Sequence, residues 1–325
     1  MSVYKTKEAY RKAWDNAFTV DPKVPLSIDI ELASLCNLAC PFCYWGESEF
    51  QEEMKKSDKD GNALKRFMPM GMAKRIIDEA AYLGVPALKM NGRGESTLHK
   101  DFSEIVQYAA SKNAFHEILV NTNANCSEKA IPGLMAATKV MVSLDSLDPD
   151  RYLRMRVGGD MVTAIFIIHS LRKRKHPDLW VRRVVTEENK DEKFITACKM
   201  VFCEDIKVSE HFCFDRNRAL NASVHGEDAV RWERTYCGYP SQRLLITSSG
   251  NFLPCCVDWR EEMILGNFKH DSIAQVWESK DLSSLRDELR NDKLFSSICQ
   301  KCTSYLAYKR PERKFVQDVL GEAKI

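Results

Sequence analysis

The sequence predicts an α/β fold: a parallel sheet made of repeated strand–helix units, followed by a smaller unit of a different pattern. Three observations carry this. Strand-like runs recur at residues 26–32, 87–90, 117–121, 140–144, 180–185 and 206–214. Helix-like periodicity fills the intervals at 72–83, 102–111, 128–135, 162–173 and 193–202. From about residue 219 the alternation stops and a second group of cysteines begins. Strand–helix repetition feeds right-handed crossovers and gives a parallel sheet. In such sheets the chemistry gathers at the carboxyl ends of the strands.

Each element has a local reason. In the first strand Leu26, Ile28, Ile30 and Leu32 alternate with Ser27, Asp29 and Glu31, the period of a strand with one apolar face. It runs straight into a loop rich in cysteine. Residues 46–68 form a long polar insertion of mixed charge, read either as a solvated surface segment or as a lid over the mouth of the fold. Residues 217–234 are polar and read as a connector. Beyond them, residues 243–247 and 252–254 flank Ser248, Ser249, Gly250 and Asn251, which predicts a β-hairpin. Residues 271–279 and 282–290 read as helices. The expected division is an N-terminal extension at 1–25, the sheet domain at 26–218, the smaller domain at 219–310 and a tail at 311–325.

Composition narrows the class. The chain has 325 residues, 44% of them hydrophobic, which is enough for a large core. Its 48 basic and 46 acidic residues nearly cancel, so no global charge favours nucleic acid or an anionic membrane. Residues 1–18 are charged and lack the apolar core of a signal peptide, and no span is long enough to cross a bilayer. Twelve cysteines without a secretory signal point to metal rather than disulfides, and to a reducing, cytoplasmic setting.

Three of those cysteines dominate the reading. Cys36, Cys40 and Cys43 stand in a C-x3-C-x2-C run with no fourth cysteine nearby. Thiolates at these intervals can wrap one soft metal centre. A closed four-iron cluster or a structural zinc takes four protein ligands, so three leave one position open. The alternative is a zinc knuckle with a distant fourth ligand, although zinc sites usually pair their cysteines. The run resembles that of the radical S-adenosylmethionine (SAM) enzymes, and Phe42 matches the aromatic usual before the third cysteine. The resemblance implies a partial (β/α)6 barrel and a [4Fe–4S] cluster whose open iron binds SAM. It also implies cleavage of SAM to a 5'-deoxyadenosyl radical, and a flavodoxin or ferredoxin-type electron donor.

Further positions extend the resemblance. The second strand ends in Gly92-Arg93-Gly94-Glu95-Ser96, a variant of the superfamily's glycine–glutamate motif with Ser96 where proline often stands. Glycines there let backbone approach a ligand, and the resemblance gives Gly94 and Glu95 a part in holding the SAM ammonium. The third and fourth strands end in Asn121-Thr122-Asn123 and Ser143-Leu144-Asp145-Ser146. By the same resemblance Asn123, Ser143 and Asp145 are cofactor-binding candidates. Arg156 offers a guanidinium for a carboxylate; turn capping or a surface charge is the alternative for Asn123 and Arg156.

The second cysteine set runs Cys237-x17-Cys255-x43-Cys299-x2-Cys302, with Gly250 giving C-x12-G-x4-C. This resembles the start of the SPASM pattern of radical SAM enzymes. The later cysteines of a full set are missing, since Tyr305 and Tyr308 follow Cys302. That implies the shortened twitch form with one auxiliary [4Fe–4S] cluster, and the spacing resembles a twitch dehydrogenase acting on an amino-cyclitol. A zinc ribbon from the same four cysteines is the alternative.

Of the remaining cysteines, Cys126, Cys198 and Cys203 read as small buried apolar residues. Cys256 adjoins a metal ligand and Cys213 ends the sixth strand, so either could give a hydrogen atom to a substrate radical. Asp215, Arg216, Arg218 and Asp258 are candidates for orienting hydroxyls or moving a proton, Arg216 foremost. The expected activity is hydrogen abstraction from a small polyol, such as a sugar, cyclitol or nucleotide sugar, leading to dehydrogenation or epimerisation. Modification of a peptide is the second expectation. A non-catalytic zinc-binding regulator is the third, disfavoured by the neutral charge and the lack of a basic recognition helix.

Overall fold

The computed structural model describes residues 2–52, 67–212, 237–291, 293 and 297–301. Among the described residues nine strands form one sheet in the order β6-β5-β4-β3-β2-β1-β7-β8-β9. They are β1 (Ser27–Ile30), β2 (Ala87–Lys89), β3 (Glu117–Thr122), β4 (Lys139–Ser143), β5 (Leu179–Val185), β6 (Lys207–Phe212), β7 (Arg243–Ile246), β8 (Asn251–Leu253) and β9 (Gly266–Asn267). Neighbours β1 through β6 are all parallel and lie in chain order. Among the described residues the linear order leaves β6 and β9 as edges, so the barrel is partial and open.

Alternation sorts side chains between two faces. In β4 and β5 the residues Val140, Val142, Val181 and Arg183 are buried while Met141, Ser143, Trp180, Arg182 and Val184 are half-exposed. The buried face packs on the crossover helices. Ile28, Ile30, Leu88, Val120, Val142 and Val181 share one core with Ile76, Ile105 and Ile168. Each fully buried aliphatic side chain there stabilises by roughly 1.5–3 kcal/mol. The other face lines the concave side.

The helices are built as amphipathic covers. In the helix Met70–Leu83 the residues Ala73, Ile76, Ile77 and Ala80 fall on one buried stripe, and Gly84 ends it in the left-handed region at φ 77°. The helix Met161–Lys173 starts on Asp160, whose carboxylate accepts from the backbone N–H of Val162 and Thr163.

Two features were not foreseen in the sequence. The helix Lys7–Asn16 lies within the expected extension, capped by Thr6 and anchored by the buried Tyr10. Arg11 reaches Glu117 at the amino end of β3, and Gln242 donates to the Trp14 carbonyl at 3.0 Å. One buried side chain per ten residues is too weak a stripe to stand out in a sequence. Second, β7 runs parallel to β1, pairing Asp29 with Leu245 and Ile30 with Ile246. The hairpin of the C-terminal unit thus continues the barrel's own sheet, with β8 antiparallel to β7.

Candidate functional site

The cysteine loop leaves β1 at the carboxyl edge of the sheet and is held from below by the glycine motif. A Cβ on Gly94 would stand 2.1 Å from the Leu35 carbonyl oxygen and 2.6 Å from that of Ala33. Only glycine admits this approach, and the Glu95 N–H then donates to the Leu35 carbonyl at 2.7 Å. Glu95 is buried and turned into the protein. One oxygen accepts from the Asn123 N–H at 2.8 Å, the other from the Thr97 N–H and hydroxyl. It ties the ends of β2 and β3 together beneath the cysteine loop.

Donors surround the three sulfurs. The Leu38 N–H and the Asn123 side-chain amide approach Cys36 Sγ at 3.5 and 3.8 Å. The Asn123 amide also donates to Asn37 Oδ1 at 2.9 Å. Arg156 reaches Cys40 Sγ at 3.6 Å, and its guanidinium lies 5.3 Å from the centre of the Phe42 ring. Asp145, at φ +66° just past β4, pairs with Arg156 and accepts from the Val184 N–H at 2.7 Å. Burial, then Glu95, pushes the Cys36 thiol up to about 12. Cys40 is raised to about 11 by burial, which Arg156 opposes. Ser143 sits on the concave face in register with Arg182 of β5.

A buried ion network that sequence reasoning missed joins this loop to the C-terminal unit. Arg93 donates through Nε and Nη2 to the two oxygens of Glu31 at 2.7 and 2.6 Å, and Nη2 also pairs with Glu261 at 2.6 Å. The Ser248 N–H donates to Glu31 at 3.0 Å, and Arg93 donates to the Trp259 carbonyl at 3.2 Å. Burial alone would raise the Glu31 carboxyl, but the guanidinium holds it below its usual range. The only sequence signal was an arginine between the motif's two glycines. Above the network Tyr44 stacks on Trp259 with ring centres 5.0 Å apart, Phe50 meets Trp259 edge-on at 4.7 Å, and the Trp45 indole donates to the Arg93 carbonyl at 3.0 Å.

Of the second cysteine set, Cys237, Cys255 and Cys299 are described. Gly250, at φ +92°, makes the β7–β8 turn that delivers Cys255. The Val257 N–H approaches Cys255 Sγ at 3.3 Å. Hydrogen bonding to Cys256, then burial, holds the Cys255 thiol well above its usual range, and Cys237 adds to the rise. Cys237, Met263 and Cys299 pack on Leu285 and Leu289 of the helix Lys280–Arg290. Cys302 falls outside the described residues, as do Cys213, Asp215, Arg216 and Arg218. Asp258 is buried, with its oxygens accepting from the Glu262 and Met263 N–H groups at 2.9 and 2.8 Å, so it caps a turn. Cys198 is fully buried, whereas Cys203 is half-exposed beside Asp205 and Cys126 lines a cavity of about 560 Å³ with Asn37, Thr97 and Asn125.

Comparison with known proteins matches this geometry. The profile described as the Radical SAM superfamily covers residues 30–201, just over half the chain, and the SPASM iron–sulfur cluster-binding domain covers residues 237–303. A probable GTP 3',8-cyclase of Methanococcus maripaludis is 29% identical over 138 residues, 42% of this chain and 41% of that protein. The molybdenum cofactor biosynthesis protein moc-5 of Caenorhabditis elegans is 30% identical over 137 residues, 41% of this chain and 21% of that one. These matches thus span about two fifths or less of the relatives' length.

Among solved structures, BtrN in complex with AdoMet and 2-DOIA superposes with a TM-score of 0.55 at 19% identity, covering 87% of this chain and 94% of BtrN. Streptococcus suis SuiB bound to precursor peptide SuiA gives 0.64 at 15% identity, covering 91% of this chain and 74% of SuiB. At such identities these likenesses speak to the fold.

A radical SAM domain implies SAM and a [4Fe–4S] cluster, and a SPASM domain implies further iron–sulfur binding. The donor chemistry fits. None of the ten described cysteines is in a disulfide, and N–H donors aim at two of the three sulfurs of the first loop. Among the described residues no three Cys, His, Asp or Glu side chains converge on one point, so taking a cluster requires the thiols to turn toward each other. Cys36, Cys40 and Cys43 would hold the first cluster, and Cys237, Cys255 and Cys299 would contribute to the second. No helix among the described residues is long and apolar enough to cross a membrane. By the extent of its profile match and the architecture beneath it, this chain belongs to the radical SAM superfamily and carries a C-terminal SPASM domain.

Proposed function

We propose that this enzyme abstracts hydrogen from a small polyol-type substrate, a sugar, cyclitol or nucleotide sugar, leading to dehydrogenation or epimerisation. The observation that carries the reading is the polar concave wall below the cysteine loop. Asp29, Lys89, Asn121, Ser143, Arg182 and Ser209 occupy the strand face opposite the apolar core, interleaved with Leu119, Met141 and Trp180. Such a wall suits a compact hydroxylated molecule, whose hydrogen bonds would replace those to water. Two likenesses support it: BtrN, bound to AdoMet and 2-DOIA, is covered over 94% of its length, and the GTP 3',8-cyclases act on a nucleotide.

When bound, the first cluster and SAM supply a radical able to take hydrogen from an unactivated C–H bond. The chain's own residues would position and finish the reaction. Gly94 and Glu95 set the floor of the cofactor site, with Asn123, Ser143, Asp145, Arg156 and Phe42 around it. Cys256, half-exposed beside Cys255, would return a hydrogen atom in an epimerase or stand idle in a dehydrogenase; Cys213 and Arg216 remain the other candidates. One auxiliary cluster of twitch type, a flavodoxin or ferredoxin-type donor and a cytoplasmic setting complete the reading. Peptide modification is the second reading, favoured by the higher TM-score of 0.64 to peptide-bound SuiB.

The test incubates anaerobically reconstituted protein with SAM, dithionite and panels of nucleotide sugars, aminocyclitols and short peptides. Substrate-dependent formation of 5'-deoxyadenosine with a product two hydrogens lighter, or epimerised, from the polyol panels supports the reading. Turnover confined to peptides would overturn it.

A further inference from the structure

The two cysteine loops are joined by more than the Arg93 network. Cys43 runs into a short turn, Tyr44–Gly46, that folds back on the loop. The Cys43 N–H donates to the Cys40 carbonyl at 2.9 Å, and the Gly46 N–H to the Cys43 carbonyl at 2.7 Å. A Cβ on Gly46 would stand 2.2 Å from the Cys40 carbonyl oxygen, so only glycine lets the turn close this tightly. Tyr44 and Trp45 are therefore carried on a turn that is fixed to Cys43.

The ring that meets them comes from the other unit. Trp259 lies four residues past Cys255 and is only 5% exposed. It stacks on Tyr44 with the ring planes 14° apart. Phe50 closes the group edge-on, its ring centre 5.0 Å from that of Tyr44 and 5.3 Å from that of Trp45. Leu35, Cys36 and Cys43 pack against the same aromatic cluster. The turn that presents Trp259 is itself held. Asp258 caps it, and Glu261, at φ +57°, is tied to Arg93 and to the Asn251 amide. A non-glycine residue keeps that conformation only where its surroundings enforce it. The first cysteine loop thus has an apolar wall that the barrel does not supply.

We propose that Trp259 is a positioning residue for the first cysteine site. Through Tyr44 it fixes Cys43, and with Phe50 it shields Cys36 and Cys43 from water. The first site is then complete only when the turn after Cys255 is docked on it. Aromatic pairs add to stability beyond the area they bury, and solvent exposure is one of the levers on an iron–sulfur potential. Trp259 therefore acts on both the retention of iron and the potential at which it is reduced.

The test uses the full chain carrying Cys299→Ala and Cys302→Ala, reconstituted anaerobically, so that bound iron reports the first site. Iron release to bathophenanthroline is followed by absorbance, and the midpoint potential by EPR in a dithionite titration. Adding Trp259→Ala should speed release at least about tenfold, the scale of one lost aromatic pair. Its midpoint should rise, because water stabilises the more negative reduced state. Trp259→Phe should restore both. Tyr44→Leu removes the same stack from the other partner and should move both readouts in the same direction. Combined with Trp259→Ala it should add little, since the two act through one contact. Phe268→Ala opens a cavity in the main core rather than in this aromatic cluster, and should lower Tm without either change. Release and midpoint unmoved by Trp259→Ala, or moved equally by Phe268→Ala, would overturn the inference. No substrate enters the measurement, so its outcome is separate from the choice of substrate proposed above.

Discussion

The two cysteine sites of this protein are built in opposite ways. The first takes its three thiols from eight consecutive residues and borrows its support from a distance: Asn123 from the end of β3, Arg156 from beyond β4, and the Gly94 backbone from beyond β2. The second would take its thiols from positions 237, 255, 299 and 302, and the three described ones are supported by Val257 and by Leu285 and Leu289. A site with local ligands can form before the fold is complete and is then tuned by it. A site with distant ligands exists only once the fold has closed, so losing it disturbs both chemistry and stability.

The contrast can be broken at its strongest point first. Cys36, Cys40 and Cys43 replaced together by Ala should remove about half of an iron content of about eight per chain, the amount in two four-iron clusters. SAM cleavage should vanish with it. Iron analysis and assay for 5'-deoxyadenosine check this, and zinc in place of iron would defeat the cluster assignment.

Replacing Cys299 and Cys302 by Ala should act on the other side of the comparison. Uncoupled SAM cleavage with dithionite should persist while substrate turnover is lost. Product formed at the normal rate would show that the second cluster lies outside the chemistry. Because bound metal also contributes folding free energy, thermal denaturation of the variant should show a lowered Tm.

Arg93→Met cuts the connection between the two sites. It would leave Glu31 and Glu261 buried without their cation, a loss of about 3–5 kcal/mol measurable by denaturant unfolding. Adding Glu31→Gln and Glu261→Gln to the same chain should recover part of it, because no uncompensated charge then remains. No loss in the single variant would mean the network is not closed in solution.

The mildest change is Cys256→Ala. In an epimerase it should stop solvent deuterium from entering product made in deuterated water, and in a dehydrogenase it should do little. Mass spectrometry of the product decides. Incorporation that survives the substitution would move the donor to Cys213.

Much of the fold could be read from local pattern. The period of two in Leu26, Ile28, Ile30 and Leu32, and the period of 3.6 in Ala73, Ile76, Ile77 and Ala80, are written residue by residue. So were the six parallel strands, because sequential strand–helix units leave few other arrangements. The first cysteine loop was legible for the same reason: its ligands and their spacing are neighbours in the chain.

What the sequence determined by itself is therefore what depends on near neighbours: the strand–helix order, the C-x3-C-x2-C loop, the glycines beneath it and the identity of the second cysteine set. Only the tertiary structure decided which distant groups meet. It placed β7 beside β1, turned Glu95 inward onto Asn123, set Arg93 between Glu31 and Glu261, and brought Lys89 and Arg243 to Asp29. The physical reason is that an ion pair or hydrogen bond between residues tens or hundreds of positions apart leaves no periodicity in the chain. It arises from register and crossover geometry, which fix the partner only after the sheet has formed.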